Sequence, residues 1–154
     1  MTTSMDVCNA IAAMIAELWP ERMIYRDFCP VDHHRPSSYL YVTSSEMTPA
    51  NISLDQWELE ARLELFCATD EYDVSSTEEL RKDQEAVLLA FGAPSLQVGE
   101  DWVTLTAKGE GMDMGSAFVT FSASWFEVAP GADDPEKDVP LMEQFQVNGK
   151  DMKV

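Results

Sequence analysis

The stretch WELEARLELFC, Trp57 to Cys67, changes character with the period used to read it. At about 100° per residue, Trp57, Ala61 and Leu65 fall on one side of a helix. Leu59, Leu63 and Phe66 then fall nearly opposite, with glutamates trapped between the two sets. At about 180° per residue the conflict disappears. Trp57, Leu59, Ala61, Leu63, Leu65 and Cys67 share one face, and Glu58, Glu60, Arg62 and Glu64 take the other. Glu, Leu and Ala favour helices by only a few tenths of a kcal/mol per residue, whereas fully burying a Leu side chain is worth about 1.5–3 kcal/mol. The pattern predicts a long, half-buried strand.

The same reading extends along the chain. Ser4 caps a helix with Cys8, Ile11, Ala12, Ile15, Leu18 and Trp19 on one stripe, and Pro20 stops it. Arg22 to Phe28 reads as a short strand. The proline-bearing segment CPVDHHRPSS reads as a solvated loop, and Tyr39 to Val42 as a second strand followed by a polar loop through Pro49. After the long strand, Thr69 to Val74 is turn-like. Ser76 with Glu79, or equally Ser75 with Glu78, forms a capping box. The helix behind it carries Leu80, Gln84, Val87, Leu88 and Phe91 and stops at Gly92 and Pro94.

Two more strands alternate cleanly. Val103, Leu105 and Ala107 alternate with Thr104, Thr106 and Lys108; Ala117, Val119, Phe121, Ala123 and Trp125 alternate with Thr120, Ser122 and Ser124. The intervening KGEGMDMG, with its glycines, suits a hairpin with a flexible tip. APGADDPEKDVP is a surface loop, and LMEQFQVNGKDM is a short strand or an arm. These elements predict an α+β fold. A mainly antiparallel β-sheet carries two α-helices packed on it, with a β-hairpin and a C-terminal arm, in a single domain of residues 1–154 whose arm is 140–154.

Charge narrows the function. The chain holds 28 Asp and Glu against 10 Lys and Arg, a formal net charge of −18. Phosphate-backbone binding needs cations that replace condensed counterions, so nucleic-acid binding is not expected, nor is attachment to an anionic membrane. An acidic surface first serves solubility. Cys8, Cys29 and Cys67 lie beside apolar patterns without close spacing, as buried thiols of a reducing compartment do. The opening residues lack the pattern of an export leader, and no apolar run is long enough to span a membrane, so the sequon-like Asn51-Ile52-Ser53 is read as accidental.

Catalytic patterns are thin. Cys29, Asp32, His33 and His34 lie close together, but zinc needs paired groups of ligands and no second group exists. Sequence neighbours rarely reach the geometry of a Cys–His nucleophile pair. Gly109, Gly111 and Gly115 lack the strand–glycine–helix order and the lysine of a phosphate loop. Glu58, Glu60 and Glu64 are most simply a solvated row. The expectation is a protein without enzymatic activity, metal or cofactor. Two segments look made for contact instead. Met112, Asp113 and Met114 sit at the glycine-rich tip, where flexible thioethers suit an adaptable interface, and Leu141, Met142, Phe145 and Val147 follow a long loop.

The order of parts resembles a known family. A helix ending LWPE, a short strand with IY, then RPSSYLYV, WELEARLELFC, SSTEELRKDQEAVLLAFG, a hairpin and PLMEQFQVNG are similar to small tail-terminator or tail-completion proteins of long-tailed bacteriophages. The alanine- and glycine-containing end of the second helix differs from the leucine-rich ends of that family. The resemblance implies a structural virion protein, in the tail or neck and in the host cytoplasm during assembly. It implies a ring, of six subunits, that caps the head-proximal end of the tail tube, stops its polymerisation and docks a head-completion or neck protein. Six copies at −18 each carry about −108, which would keep DNA passing the channel from sticking. The alternatives are an acidic DNA mimic that blocks a nucleic-acid-binding enzyme, and a head–tail joining protein.

Overall fold

The computed structural model describes residues 1–72, 74–113 and 115–130, with the backbone of 146–147 and 150–151. Two helices and a six-stranded, mostly antiparallel sheet make an α+β fold. The chain divides into two compact units, Met1–Glu46 with Glu58–Trp125, and Met47–Trp57 with Phe126–Val154.

In the first unit, α1 (Ser4–Leu18) buries Val7, Cys8, Ile11 and Ile15. Its N-cap is Thr3, one residue before the expected Ser4. Thr3 Oγ1 accepts the Asp6 N–H at 3.1 Å, and Asp6 Oδ2 accepts the Thr3 N–H at 3.0 Å, so a reciprocal box outcompetes a lone serine. The Thr3 backbone bond, and after it the Thr3 hydroxyl, hold the Asp6 carboxyl below its usual range. That contribution is complete above the ordinary aspartate range and fades as pH falls through the lowered value. Asp6→Asn is therefore expected to flatten the acid-dependent loss of amide protection in the first turn as pH falls through and below the ordinary aspartate range. Equal acid loss in the variant would show that the box contributes nothing.

The sheet order is β1-β2-β3-β6-β5-β4. β1 (Met23–Arg26) runs parallel to β2 (Ser37–Pro49), pairing Met23 with Ser37 through Arg26 with Leu40. β2 is longer than the sequence suggests. Thr43 to Pro49 belong to it rather than to a loop; they are exposed on both sides, so no hydrophobic alternation marks them. β3 (Leu54–Phe66) obeys the two-residue period: Leu59, Ala61, Leu63 and Leu65 are at most 3% exposed. Phe66 is also buried, although alternation sets it on the outer face. The loop between β1 and β2 covers it. The His33 ring lies 4.0 Å from the Phe66 ring, and Arg35 donates to the Cys67 carbonyl at 3.1 Å. The segment expected to be solvated thus packs part of itself, because it must carry the chain between two parallel neighbours.

α2 (Thr77–Ala90) begins at Ser76, whose hydroxyl accepts the Glu79 N–H at 3.3 Å, deciding between the two capping alternatives. It buries Leu80 and Val87, with Phe91 just beyond, and its Gln84 donates to the Glu110 and Phe118 carbonyls at 2.8 Å. A side chain at Gly109 would place its Cβ 3.1 Å from Gln84 and 3.2 Å from Leu88, so glycine there permits the close approach of helix and strand. β4 (Ser95–Val98) was not predicted. It pairs antiparallel with the start of β5 (Asp101–Asp113), and Gly99 at φ +62° takes the first position of their tight connection, as a II′ turn favours. β5 pairs antiparallel with β6 (Ser116–Val128), from Thr104 opposite Ser124 to Asp113 opposite Ser116, with an irregularity between Glu110 and Asp113. Gly109, Gly111, Met112 and Asp113 are therefore strand residues, not a flexible tip.

In the second unit, Asn51 shapes the turn between β2 and β3. Its side-chain oxygen accepts the Ser53 and Leu54 N–H groups at 2.7 and 2.9 Å, and the Leu54 carbonyl accepts those of Ala50 and Asn51. The Ala129 N–H donates to the Ser53 carbonyl at 2.8 Å, so the end of β6 meets the start of β3 and the two run antiparallel. β7 (Gln146–Val147) and β8 (Lys150–Asp151) pair antiparallel in a sheet of their own.

Candidate functional site

The residues singled out for contact are reached unequally. Met112 is half-buried and Asp113 exposed at the end of β5. Val147 pairs with Lys150 between β7 and β8. Met114, Leu141, Met142 and Phe145 lie outside the described residues.

The loop cluster around His33 is a packing device. His33 Nδ1 donates to the Pro30 carbonyl at 3.1 Å, its ring stands edge-on to Tyr25, and Tyr25 Oη accepts the His34 N–H at 2.8 Å. His33 Nε2 is buried without a protein partner. Burial, and then the charge of Glu64, push the Cys29 thiol above its usual value, so it is held as a thiol, the wrong form for a nucleophile. All three cysteines are free, with Cys8 and Cys67 buried. Among the described residues, no group of three or more His, Cys, Asp or Glu could hold a metal ion.

The outer face of the sheet in the first unit mixes polar groups with aromatic rings. A groove of about 340 Å³ is lined by Glu46, Glu58 and Glu60 with hydroxyls such as Thr104, Thr106 and Ser122. Beside it Arg62 lies 4.1 Å from the Phe118 ring and 3.6 Å from Glu110, which also accepts the Thr120 hydroxyl. The guanidinium stem covers Phe118, which alternation sets outward, and leaves it 9% exposed. Tyr39 and Tyr41 stack at 4.6 Å, and burial, with Tyr41 next, pushes the Tyr39 hydroxyl up. These neighbours explain why β-formers on an outer face remain partly sheltered.

The edges of this sheet are its most unusual feature. Among the described residues, no strand pairs with β2 on its β1 side beyond Leu40, which leaves Tyr41 to Glu46 open there. At the opposite edge, β4 reaches only from Val98 to Ser95 along β5, with one further bond from the Leu105 N–H to the Pro94 carbonyl at 3.0 Å. Among the described residues, that side of β5 has no strand partner from Thr106 to Asp113. Sequence reasoning located neither, since which strands stand at the edges depends on pairing between segments far apart in the chain.

No protein-family model matches the chain, and no curated protein sequence matches it. No described helix is long and apolar enough to cross a membrane.

Proposed function

We propose that this chain is a structural virion protein of a long-tailed bacteriophage, a tail terminator that forms a ring on the head-proximal end of the tail tube and performs no catalysis. One observation carries the reading most: a six-stranded sheet that, among the described residues, is left open along part of both edges. A contact between two different edges is head-to-tail, and head-to-tail contacts either close into rings or run on as filaments. Closure hides the open backbone groups that would otherwise template further growth. The net charge of −18 suits a channel that DNA passes without binding. In this reading the end of β5, with Met112 and Asp113, and the C-terminal segment 140–154 reach the tube protein or the neck protein.

The test is to add the purified chain to polymerising tail-tube protein. Tubes blocked at one end, and a variant lacking Leu141 to Val154 that folds but caps poorly, are expected by electron microscopy. Tubes that elongate unchanged in the presence of the intact chain overturn the proposal. The DNA-mimic reading draws on Glu46, Glu58 and Glu60 lining one groove. It requires a one-to-one complex with a basic protein that weakens steeply with salt.

A further inference from the structure

The two sheet edges are cut back at opposite ends. With the direction of β2 taken as upward, β3 runs down, β6 up, β5 down and β4 up. β1 therefore occupies the lower part of its edge, beside Ser37–Leu40, and the open stretch Tyr41 to Glu46 lies above it. β4 occupies the upper part of the other edge, beside Asp101 to Thr104, and the open stretch from Thr106 lies below it. Each edge thus has one short strand of four residues and one open stretch, in reversed order.

We propose that a second copy of the chain docks here as a lap joint. β4 of one copy seats beside Tyr41 to Glu46 of the next, and the β1 of that next copy seats beside β5 of the first, from Thr106 onward. The inference rests on the ring reading above and names the contact that makes the ring. With both sheets in the same orientation, β4 meets β2 in parallel and β1 meets β5 antiparallel, so β1 and β4 fill a single column end to end. Edges that avoid such pairing usually carry lysine, proline or a bulge. From Tyr41 to Glu46 there is no Lys and no Pro, and Glu46 is the one charge; the β5 edge carries Lys108 and the irregularity between Glu110 and Asp113, so the β2 side is the half of the joint that this criterion supports.

Backbone direction supplies the test. The Leu40 carbonyl accepts the Asp27 N–H at 3.0 Å on the β1 side. Polar backbone groups alternate sides along a strand, so in this joint Val42, two positions beyond Leu40, offers its N–H to the seam. Val42→Pro removes that seam donor and is expected to weaken self-association by about tenfold or more at unchanged melting temperature. A mixture of Ser44→Cys and Gln97→Cys chains is expected to give the mixed disulfide under mild oxidation, mapped by peptide mass. If Val42→Pro lowers the melting temperature, the mixed disulfide alone decides, and its absence overturns the joint. Rings that form equally well with Val42→Pro, or that cross-link mainly Ser44→Cys to itself, overturn the joint while leaving the ring reading standing. A wild-type chain that remains monomeric at millimolar concentration overturns both.

Discussion

Truncating Phe121 to alanine is expected to lower the stability of the chain by about 3–5 kcal/mol. Phe121 is 1% exposed at the middle of β6, opposite Ala107 of β5. Its ring meets Phe91, just beyond α2, at 4.7 Å and 61°, an edge-to-face arrangement. The small Ala107 beside it offers nothing that could collapse into the space. The loss therefore includes the lost burial, the cavity and the aromatic pair. Stabilities of such domains are about 5–15 kcal/mol, so the change is a large fraction of the total. Urea unfolding should show the midpoint falling with little change in slope. The neighbouring Ser122 is exposed on the opposite face, and Ser122→Ala should stay within about 0.5 kcal/mol. Equal losses at the two positions would contradict the sidedness of β6.

Arg22→Ala is expected to cost about 2–4 kcal/mol, more than a surface ion pair is worth. Arg22 donates to Asp83 Oδ2 at 2.9 Å, with the two side chains 17% and 12% exposed, and its guanidinium lies 4.3 Å from the Trp19 ring. The pair fastens the start of β1 to α2. Removing the cation leaves a largely buried carboxylate facing no countercharge and also strips the cover from Trp19. Arg22→Met together with Asp83→Leu should recover much of the loss, because packing replaces the pair and no charge stays behind. If the double variant is as unstable as Arg22→Ala, the loss is due to packing around Trp19 rather than to a stranded charge. Chemical denaturation of the three proteins separates these outcomes.

Much of the fold was legible because burial on one face writes a period into the chain. β3 shows it best: Leu59, Ala61, Leu63 and Leu65 alternate with Glu58, Glu60, Arg62 and Glu64, and tertiary burial overrides the helix preference of Glu, Leu and Ala. α2 was readable from its apolar stripe and a cap at Ser75 or Ser76, between which only the structure chose. The upper half of β2 was not, because Thr43 to Glu46 face solvent on both sides and a strand without a buried face has no alternation. β4 hid in four residues, too few for a period to stand out after Gly92 and Pro94. Asp83 was passed over because a carboxylate on the buried stripe makes sense only once Arg22, distant in the chain, is known to face it.

The candidate site followed the same division. Charge and the absence of paired ligands in the sequence directed attention away from catalysis and toward surfaces. The suggested contact residues Met112 and Asp113 lie at the end of β5, but neither marks the open edges themselves.

By itself the sequence determined which side of β3, β5 and β6 faces the core, that a capped helix follows Val74, and how acidic the chain is. Each is set by neighbours within a few residues or by simple counting. Only the tertiary structure decided which strands stand at the edges, how far β1 and β4 run along them and what covers Phe66. Those features depend on pairing between segments far apart in the chain, and backbone hydrogen bonds, which every residue offers alike, leave no trace in residue type.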